Sequence, residues 1–368
     1  MRGWRHILAA LVGIDRLALL WFGLPGPPLW PASLRGACNV FRHHTEIWRK
    51  WTRRARQLRP AVTDNGGFMR MNRRVFLALP VPVLAAAPPK NLSVLIVDGI
   101  NNHDWRTGTS VIREVLMATG RFTVEVSTTP PADAPASAWD GWRPEFRRYD
   151  AVVNNFNGGH KPDGVRWPRR VEKALDDYLR AGGGLVVFHA ANNAFLEWPE
   201  YNEMIGLGWR DISFGPGLVL DEDERVVVVP AGEGLPPGHG PRHDFQMTMV
   251  DPRHPITAGL PKHWMHPAEQ LTHGQHAPRN PKHGALEEAL RIITCAWSKD
   301  SRRREPMDWV RRWGRGRIYT TMLGHTWRNE DNPNVRCAGF RTLLARGVEW
   351  AASGEVTIPV PSEFPSAD

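Results

Sequence analysis

The sequence predicts an α/β protein whose mostly parallel sheet is doubly wound, with helices on both of its faces. The first observation is the alternation of short β-branched runs with helical stretches over residues 92–189, which is the pattern of βαβ units. The second is the apolar run 185–188, which follows three glycines and ends abruptly at His189. A buried parallel strand that delivers a polar side chain to its C-terminal edge has this pattern. Ligands bind at that edge of open α/β sheets.

The regular first half of the chain predicts four strands and two helices. The strands are expected at residues 92–97, 122–126, 149–154 and 185–189, because each is short and rich in β-branched residues. The helices are expected at 109–119 and 168–181, where apolar residues recur at helical spacing.

The second half is less regular. A short helix is expected at 201–206, and an amphipathic helix at 337–352 closes the domain. Further strands are expected at 225–230, 245–250, 290–296 and 317–323. Two segments rich in Gly, Pro and His, 231–244 and 272–284, are expected to be surface loops.

Residues 69–87 are predicted to be an export signal. The segment has three arginines, a short apolar stretch at 75–84 and a small-residue end, which are the parts of a secretory signal peptide. Arg73 and Arg74 with the following Val-Phe-Leu are typical of a twin-arginine signal, although Asn72 precedes the pair. The apolar stretch is shorter than the roughly 20 residues that a spanning helix needs.

A signal peptide belongs at the start of a chain, so we expect Met69 or Met71 to be the initiator. Residues 1–68 are then an over-extended start, disordered or non-native. They carry 11 basic and 3 acidic residues (net +8), whereas residues 88–368 carry 33 and 35 (net −2). The basic excess therefore lies outside the predicted mature protein and does not indicate a nucleic-acid partner.

The mature protein is expected to be a single domain at 88–358 with a tail at 359–368, located in the periplasm or secreted. The alternative for the N-terminal segment is a membrane anchor at 7–24, which an acidic and a basic residue interrupt. Once the signal is cleaved, no stable membrane insertion is expected. Cys295 and Cys337 do not form a disulfide framework or a CxxC motif, and the sequence leaves open whether they pair.

Four segments of residues 92–352 resemble the ThuA-like (trehalose utilisation) family, and they occur in that family's order. They are Asn102-His103-Asp104-Trp105, Gly182-Gly-Gly-Leu-Val-Val-Phe-His-Ala-Ala-Asn192, His254-Pro-Ile-Thr-Ala-Gly-Leu-Pro261 and Gly316-Arg-Ile-Tyr-Thr-Thr-Met-Leu-Gly-His-Thr-Trp327. The resemblance implies a flavodoxin-like fold similar to the class I glutamine amidotransferases. It also implies a role in the use of trehalose or a related disaccharide.

The resemblance to amidotransferases fails at the nucleophile. Those enzymes place a cysteine on the turn after the strand that here ends at Phe188, and this chain has His189 instead. An imidazole cannot replace a thiolate in forming a thioester with glutamine, so we do not expect a glutamine amidotransferase. His325 is similar in position to the amidotransferase histidine, which implies that the cleft persists with two histidines facing it.

Three residues are predicted to be catalytic. His189 and His325 follow predicted strands, and either imidazole could act as a base, an acid or a metal ligand. Glu269 lies where family members carry an acidic residue, and it could be a general acid or a ligand. The alternatives are a buried histidine that bonds a loop carbonyl, and a solvated loop carboxylate.

Six residues near the same sheet edge are predicted to bind substrate: His103, Asp104, Trp105, Asn192, Asn193 and Trp327. The asparagines could equally cap a helix, and the His-Asp pair could stabilise its loop. No cofactor is certain, but a divalent metal is possible, with His103, His189 and His325 as candidate ligands.

Five other histidines crowd one region at spacings that match no zinc signature, so most are expected at the surface: His263, His266, His273, His276 and His283. His254 is expected to shape a turn. Several tryptophans near predicted loop edges could stack on sugar rings, although each could instead pack a loop onto the sheet. They are Trp105, Trp198, Trp209, Trp297 and Trp327.

The sequence thus predicts an exported enzyme that acts on a small carbohydrate, such as a disaccharide or a keto sugar, by histidine-centred acid–base or metal-assisted chemistry. Isomerisation, elimination with hydration, and hydrolysis stay open. The alternative is a non-catalytic carbohydrate-binding or accessory protein with an inherited cleft. The oligomeric state and the substrate are not predicted.

Overall fold

The computed structural model describes residues 91–160, 164–279 and 290–365. The predicted signal peptide, the 68 residues before it and the last three residues of the tail lie outside these ranges, so the expectations about them stay predictions. His283 also lies outside. Among the helices of the described part, none is long and apolar enough to cross a membrane.

The described chain forms thirteen strands and five α-helices. The strands are β1 (Leu92–Asp98), β2 (Phe122–Thr128), β3 (Ala151–Asn154), β4 (Gly184–Phe188), β5 (Gly217–Leu220), β6 (Val226–Val229), β7 (Gly238–His239), β8 (His243–Met249), β9 (His263–Glu269), β10 (Thr272–His273), β11 (Leu290–Ser298), β12 (Arg303–Trp313) and β13 (Gly316–Thr321). The helices are α1 (Trp105–Ala118), α2 (Ala136–Gly141), α3 (Arg169–Arg180), α4 (Pro199–Ile205) and α5 (Ala338–Ser353).

Eleven strands form one mixed sheet, whose main path is β2-β1-β3-β4-β13-β12-β11-β8-β9. The first five strands of this path are parallel. From β13 onward every pairing is antiparallel, and β5 and β6 form a hairpin on β12. The prediction of an α/β protein with one large sheet is confirmed, but the sheet is mixed and only the first five strands of its path are parallel. The antiparallel half was not foreseen.

The alternation of side chains along β1 explains how the parallel half is covered. Val94 and Ile96 belong to one core cluster, together with residues of α1 and α5. Leu95 and Val97 belong to the other, together with residues of α3 and α4. Successive strand residues point to opposite faces of the sheet. A strand with apolar side chains on both faces therefore needs other elements packed against both faces. Each fully buried Val, Leu or Ile contributes about 1.5–3 kcal/mol relative to an exposed one.

Strands β9 and β12 were missed because their sequences carry polar and charged residues that the fold buries. On β12, Glu305, Asp308 and Arg311 are each less than 5% exposed. Asp308, for example, accepts hydrogen bonds from the hydroxyl of Thr294, a residue of β11, and from that of Tyr319 at 2.6 Å. Such long-range partners remove the cost of burying polar groups and leave no trace in local periodicity.

The expectation of a surface loop holds for residues 231–244, none of which is buried, but it is wrong for the described residues 272–279, most of which are buried. His266 lies on β9 and is fully buried, and His273 and His276 are less than 10% exposed. His266 contacts Cys337 and the ring of Phe245, and Nδ1 of His276 lies 2.9 Å from the carbonyl oxygen of Gly215. The sequence does not reveal these contacts. Cys295 is buried in the core, Cys337 is half-buried, and both are free thiols.

Candidate functional site

Three histidines meet at the C-terminal edge of the parallel strands. His103 lies in the loop after β1, His189 directly follows β4, and His325 lies four residues after β13. Their ring centroids are 4.9 Å apart for His103 and His189, 4.1 Å for His103 and His325, and 5.0 Å for His189 and His325. Because parallel strands end at a common edge, three residues distant in sequence converge on one point.

His189 is held by the turn that follows β4. Its φ is +42°, a backbone conformation that is uncommon for non-glycine residues and that clusters at functional sites. Its Nδ1 lies 2.6 Å from the carbonyl oxygen of Met322. A carbonyl only accepts, so Nδ1 carries the proton and Nε2 keeps its lone pair.

His103 is oriented in the same way by a side chain. Its Nδ1 lies 3.2 Å from Oδ1 of Asn101, whose Nδ2 donates to the carbonyl of Asn155. That second bond fixes the amide so that Oδ1 faces the imidazole, and therefore Nδ1 donates. The lone pair of His103 is again on Nε2.

His325 is positioned by stacking and by its backbone. Its ring lies 3.9 Å from the ring of Trp327 at an angle of 12°, and the guanidinium of Arg242 lies 4.0 Å from the same indole. Gly324 precedes it with φ +107°, and a Cβ there would lie 2.6 Å from the ring of Phe188. Only glycine fits this turn, which brings His325 back over the end of β4.

Glu269 fixes the loop that carries His325. Its Oε2 accepts hydrogen bonds from the backbone N–H of Gly324 at 2.9 Å and of His325 at 3.3 Å, and from Nδ2 of Asn334 at 2.8 Å. The Asn334 amide also donates to the carbonyl of His325. Burial alone would raise the pKa of Glu269, but its interaction with His266, followed by the effects of His189 and Asn334, holds that pKa below its usual range. The carboxylate stands behind His325, an arrangement that favours a positioning role.

The three imidazoles are neutral at physiological pH. Burial is the main cause, and the neighbouring imidazoles add to it: together they lower the pKa of His103 to about 2 and place that of His325 far below its ordinary value. Burial also lowers the pKa of His189, although the charge of Glu269 opposes this. An imidazole with so low a pKa is a weak base near neutrality, but a neutral imidazole is the form that binds metals.

The three side chains form the one cluster among the described residues with the spacing of a metal site. One ligand atom from each lies within 4.8 Å of the others. Three neutral imidazoles with a vacant fourth position are the donor set of catalytic zinc sites. His103 and His189 each direct Nδ1 to an oxygen, as metal-bound histidines usually do. The residues therefore fit a divalent transition metal held by three imidazoles.

The histidines form the floor of a cavity of about 500 Å³ including its mouth. Asn193, one of the predicted substrate-binding residues, lines it. Trp209 lies in its wall, with the rings of His160 and His239 at 5.6 Å and 5.9 Å from the indole. His160 and His239 were not predicted, because each lies in a polar segment without a strand-end pattern.

Other predicted site residues have positions that suit structural roles. Asp104 caps α1, because its carboxylate accepts from the backbone N–H and hydroxyl of Thr107. This cap explains why the helix begins at Trp105, four residues earlier than predicted. Asn192 is fully buried: its Nδ2 donates to the carbonyl of Leu207, and its Oδ1 accepts from the N–H of Trp209.

Two more of the predicted tryptophans, and His254, lie outside the histidine cavity. Trp198 packs in the core, and Trp297 is 50% exposed on β11 away from the cavity wall. His254 shapes its turn as expected, since its Nδ1 accepts from the N–H of Ile256. The same turn is fixed by Arg346, which donates to two of its carbonyls.

Fold and cleft together define an α/β protein with a triple-histidine site at the C-terminal edge of the parallel strands of a mixed sheet. The family model described as "Trehalose utilisation" matches residues 93–351. The chain belongs to this ThuA family.

The chain is also similar to solved structures. A ThuA-like protein from Parabacteroides merdae ATCC 43184 is 34% identical, with a TM-score of 0.67 over 75% of this chain and 95% of that one. A ThuA-like protein from Bacteroides uniformis ATCC 8492 is 14% identical, with a TM-score of 0.46 over 74% and 96%. The glutaminase domain of Trypanosoma brucei CTPS is 11% identical, with a TM-score of 0.37 over 74% and 98%. Comparison with curated proteins gave no match.

Proposed function

We propose that the protein is an exported, metal-assisted enzyme that acts on a small carbohydrate, such as trehalose or an oxidised (keto) disaccharide. The observation that carries the proposal is the convergence of His103, His189 and His325, each neutral, in the floor of one cavity. Doubly wound, amidotransferase-like topology is part of the proposal, and it is supported by helices that pack with both core clusters.

The low pKa of His103, and the burial of all three imidazoles, favour metal ligation over direct proton abstraction by these rings. A divalent ion, when bound, would polarise a sugar carbonyl or hydroxyl and lower the pKa of a coordinated water. Asn101 and the carbonyl of Met322 hold two of the rings in the ligating tautomer.

Recognition of a sugar would come from the cavity wall. The indole of Trp209 offers an apolar face to the C–H groups of a sugar ring, and Asn193 can bond hydroxyl groups. His239 also lines the cavity, and its Nδ1 lies 3.1 Å from the carbonyl of Gly240. Its Nε2 is therefore free to exchange a proton with a bound substrate, and we assign proton transfer to this residue.

The absence of a cysteine at position 189 argues against glutaminase chemistry. Export is proposed from the composition of residues 69–87 alone. Two kinds of reaction suit such a site. One is isomerisation or elimination at a keto sugar, and the other is hydrolysis of the glycosidic bond by a metal-activated water.

A turnover assay distinguishes an enzyme from a non-catalytic carbohydrate-binding protein. Metal-loaded protein would be incubated with trehalose and with its keto derivative, and products followed by NMR, for the wild type and His239→Gln. The proposal predicts turnover that falls by more than about 100-fold in the variant with similar substrate affinity. Saturable binding without turnover in the wild type would instead establish a non-catalytic binding protein.

A further inference from the structure

A second cavity, of about 690 Å³ including its mouth, lies beside the histidine cavity and shares none of its lining residues. The segment around β10 separates them: Thr272 lines the histidine cavity, whereas Gly274 and Gln275 line the second. The hairpin β5–β6 and the start of β12 supply the other walls.

Two buried side chains with acceptor oxygens, Gln275 and Glu305, line this second cavity. Gln275 is 2% exposed, and its Oε1 has no hydrogen-bond partner among the described residues. Glu305 is also 2% exposed, and its Oε2 accepts one bond from the N–H of Gly274 at 3.3 Å. A buried acceptor left unpaired costs roughly 1–3 kcal/mol, so Gln275 favours a ligand that brings hydroxyl or amine donors, and the carboxyl of Glu305 can accept further bonds from the same ligand.

The opposite wall is apolar. Leu218, Val219 and Val229 are buried and line the cavity, and Leu235 lies 42% exposed at its mouth. A pocket with one apolar wall and a few convergent polar groups is the usual form of a small-molecule site. The C–H face of a sugar ring or another cyclic polyol suits the apolar wall, and its hydroxyl groups suit Gln275 and Glu305.

We propose that this cavity is a second binding site, for a neutral polyhydroxylated ligand of monosaccharide size. A ligand of either charge is disfavoured because side chains of opposite sign, Arg303 and Glu233, both line the cavity. The carboxyl of Glu305 is a weak counter-ion, since burial raises its pKa to about 7. The site does not depend on the function proposed for the histidine cavity.

Binding of D-glucose would be measured by calorimetry on the purified chain and on three variants. Glu305→Gln and Gln275→Leu each remove one acceptor with little change in shape. Glu222→Gln is the matched control, because Glu222 is exposed and lies outside both cavities. The Kd should rise at least about tenfold in each cavity variant, as expected for loss of one hydrogen bond to a buried acceptor, and should not change in the control.

The same titration in His189→Ala separates the two cavities. The proposal predicts that glucose still binds this variant, because the second cavity is intact. Thermal unfolding shows whether each cavity variant is folded. If one of them is not, the glucose affinity of the other cavity variant tests the proposal. The proposal is wrong if the wild type shows no saturable glucose binding, if both cavity variants bind like the wild type, or if ethylammonium saturates the site and glucose does not.

Discussion

The carbonyl oxygen of Met322 lies 2.6 Å from Nδ1 of His189 and so joins the ends of β4 and β13. This contact sets the tautomer of His189 through a backbone group, which no side-chain substitution can remove. Asn101 does the same for His103 with a side chain. The two contacts make Nε2 the ligand atom of both rings, and only the second can be tested by mutation.

Asn101→Leu should therefore weaken metal binding while the fold is kept. Loss of a residue that orients a ligand typically costs 10–100-fold in metal affinity, and we expect a loss of roughly that size. The affinity would be measured by competition with a chromophoric chelator, and the unfolding free energy of the metal-free protein serves as the control for folding. Equal metal affinity in variant and wild type would contradict the assigned role of Asn101.

Glu269→Ala should destabilise the metal-free protein by about 3 kcal/mol, because it leaves three buried donors without an acceptor. Urea unfolding measures the change. Glu145→Ala is the matched control: its carboxylate forms an exposed pair with Arg148, and such pairs contribute about 0–1 kcal/mol. If the two variants were equally stable, Glu269 would not be the anchor of the His325 loop.

Two tryptophans, one in the cavity wall and one on the exposed surface, test whether the cavity binds the sugar. Trp209→Ala should weaken binding of trehalose by roughly two- to tenfold, because loss of a stacking face costs about 0.5–1.5 kcal/mol. Trp297→Ala should leave binding unchanged, since this exposed indole lies away from the cavity wall. Titration of both variants by calorimetry gives the comparison, and equal affinities would remove Trp209 from the proposed sugar site.

Glu305 should make stability depend on pH. Burial raises its pKa from 4.5 to about 7, against smaller opposing effects of Ser301, Gly274 and Arg303. Between these values the folded state holds a proton that the unfolded state has lost, so stability falls as pH rises from about 4.5 to about 7. The contribution is roughly 3 kcal/mol. Urea unfolding at pH 5 and pH 8 should show a smaller difference for Glu305→Gln than for the wild type, and equal differences would contradict the raised pKa.

The parts of the site that sequence could predict are those at strand ends. The apolar run before His189 and the strand before His325 indicate where each residue lies in the sheet, and parallel pairing brings them together. His239 and Glu269 differ, because their roles depend on partners far away in sequence. Glu269, for instance, bonds the loop at Gly324, a contact that no local pattern encodes.

The same limit applies to the fold. Helix α3 and strand β4 were foreseen within one residue at each end, since their apolar spacing is set by the faces that they bury. Strand β12 was missed, because its interior holds Pro306 and several charged residues, which local propensity assigns to loops. Their burial is compensated by neighbouring strands, and those neighbours are known only once the chain has folded.

The central claim is that the three histidines bind one metal ion, and metal content tests it most directly. Purified protein would be loaded with zinc, desalted and analysed by mass spectrometry, for the wild type, His189→Ala and the control His263→Ala, whose half-buried ring bonds Thr248 outside the site. We predict one ion per chain in the wild type and control, and loss of that ion in His189→Ala. Absence of metal from all three, or equal content in all three, would contradict the account.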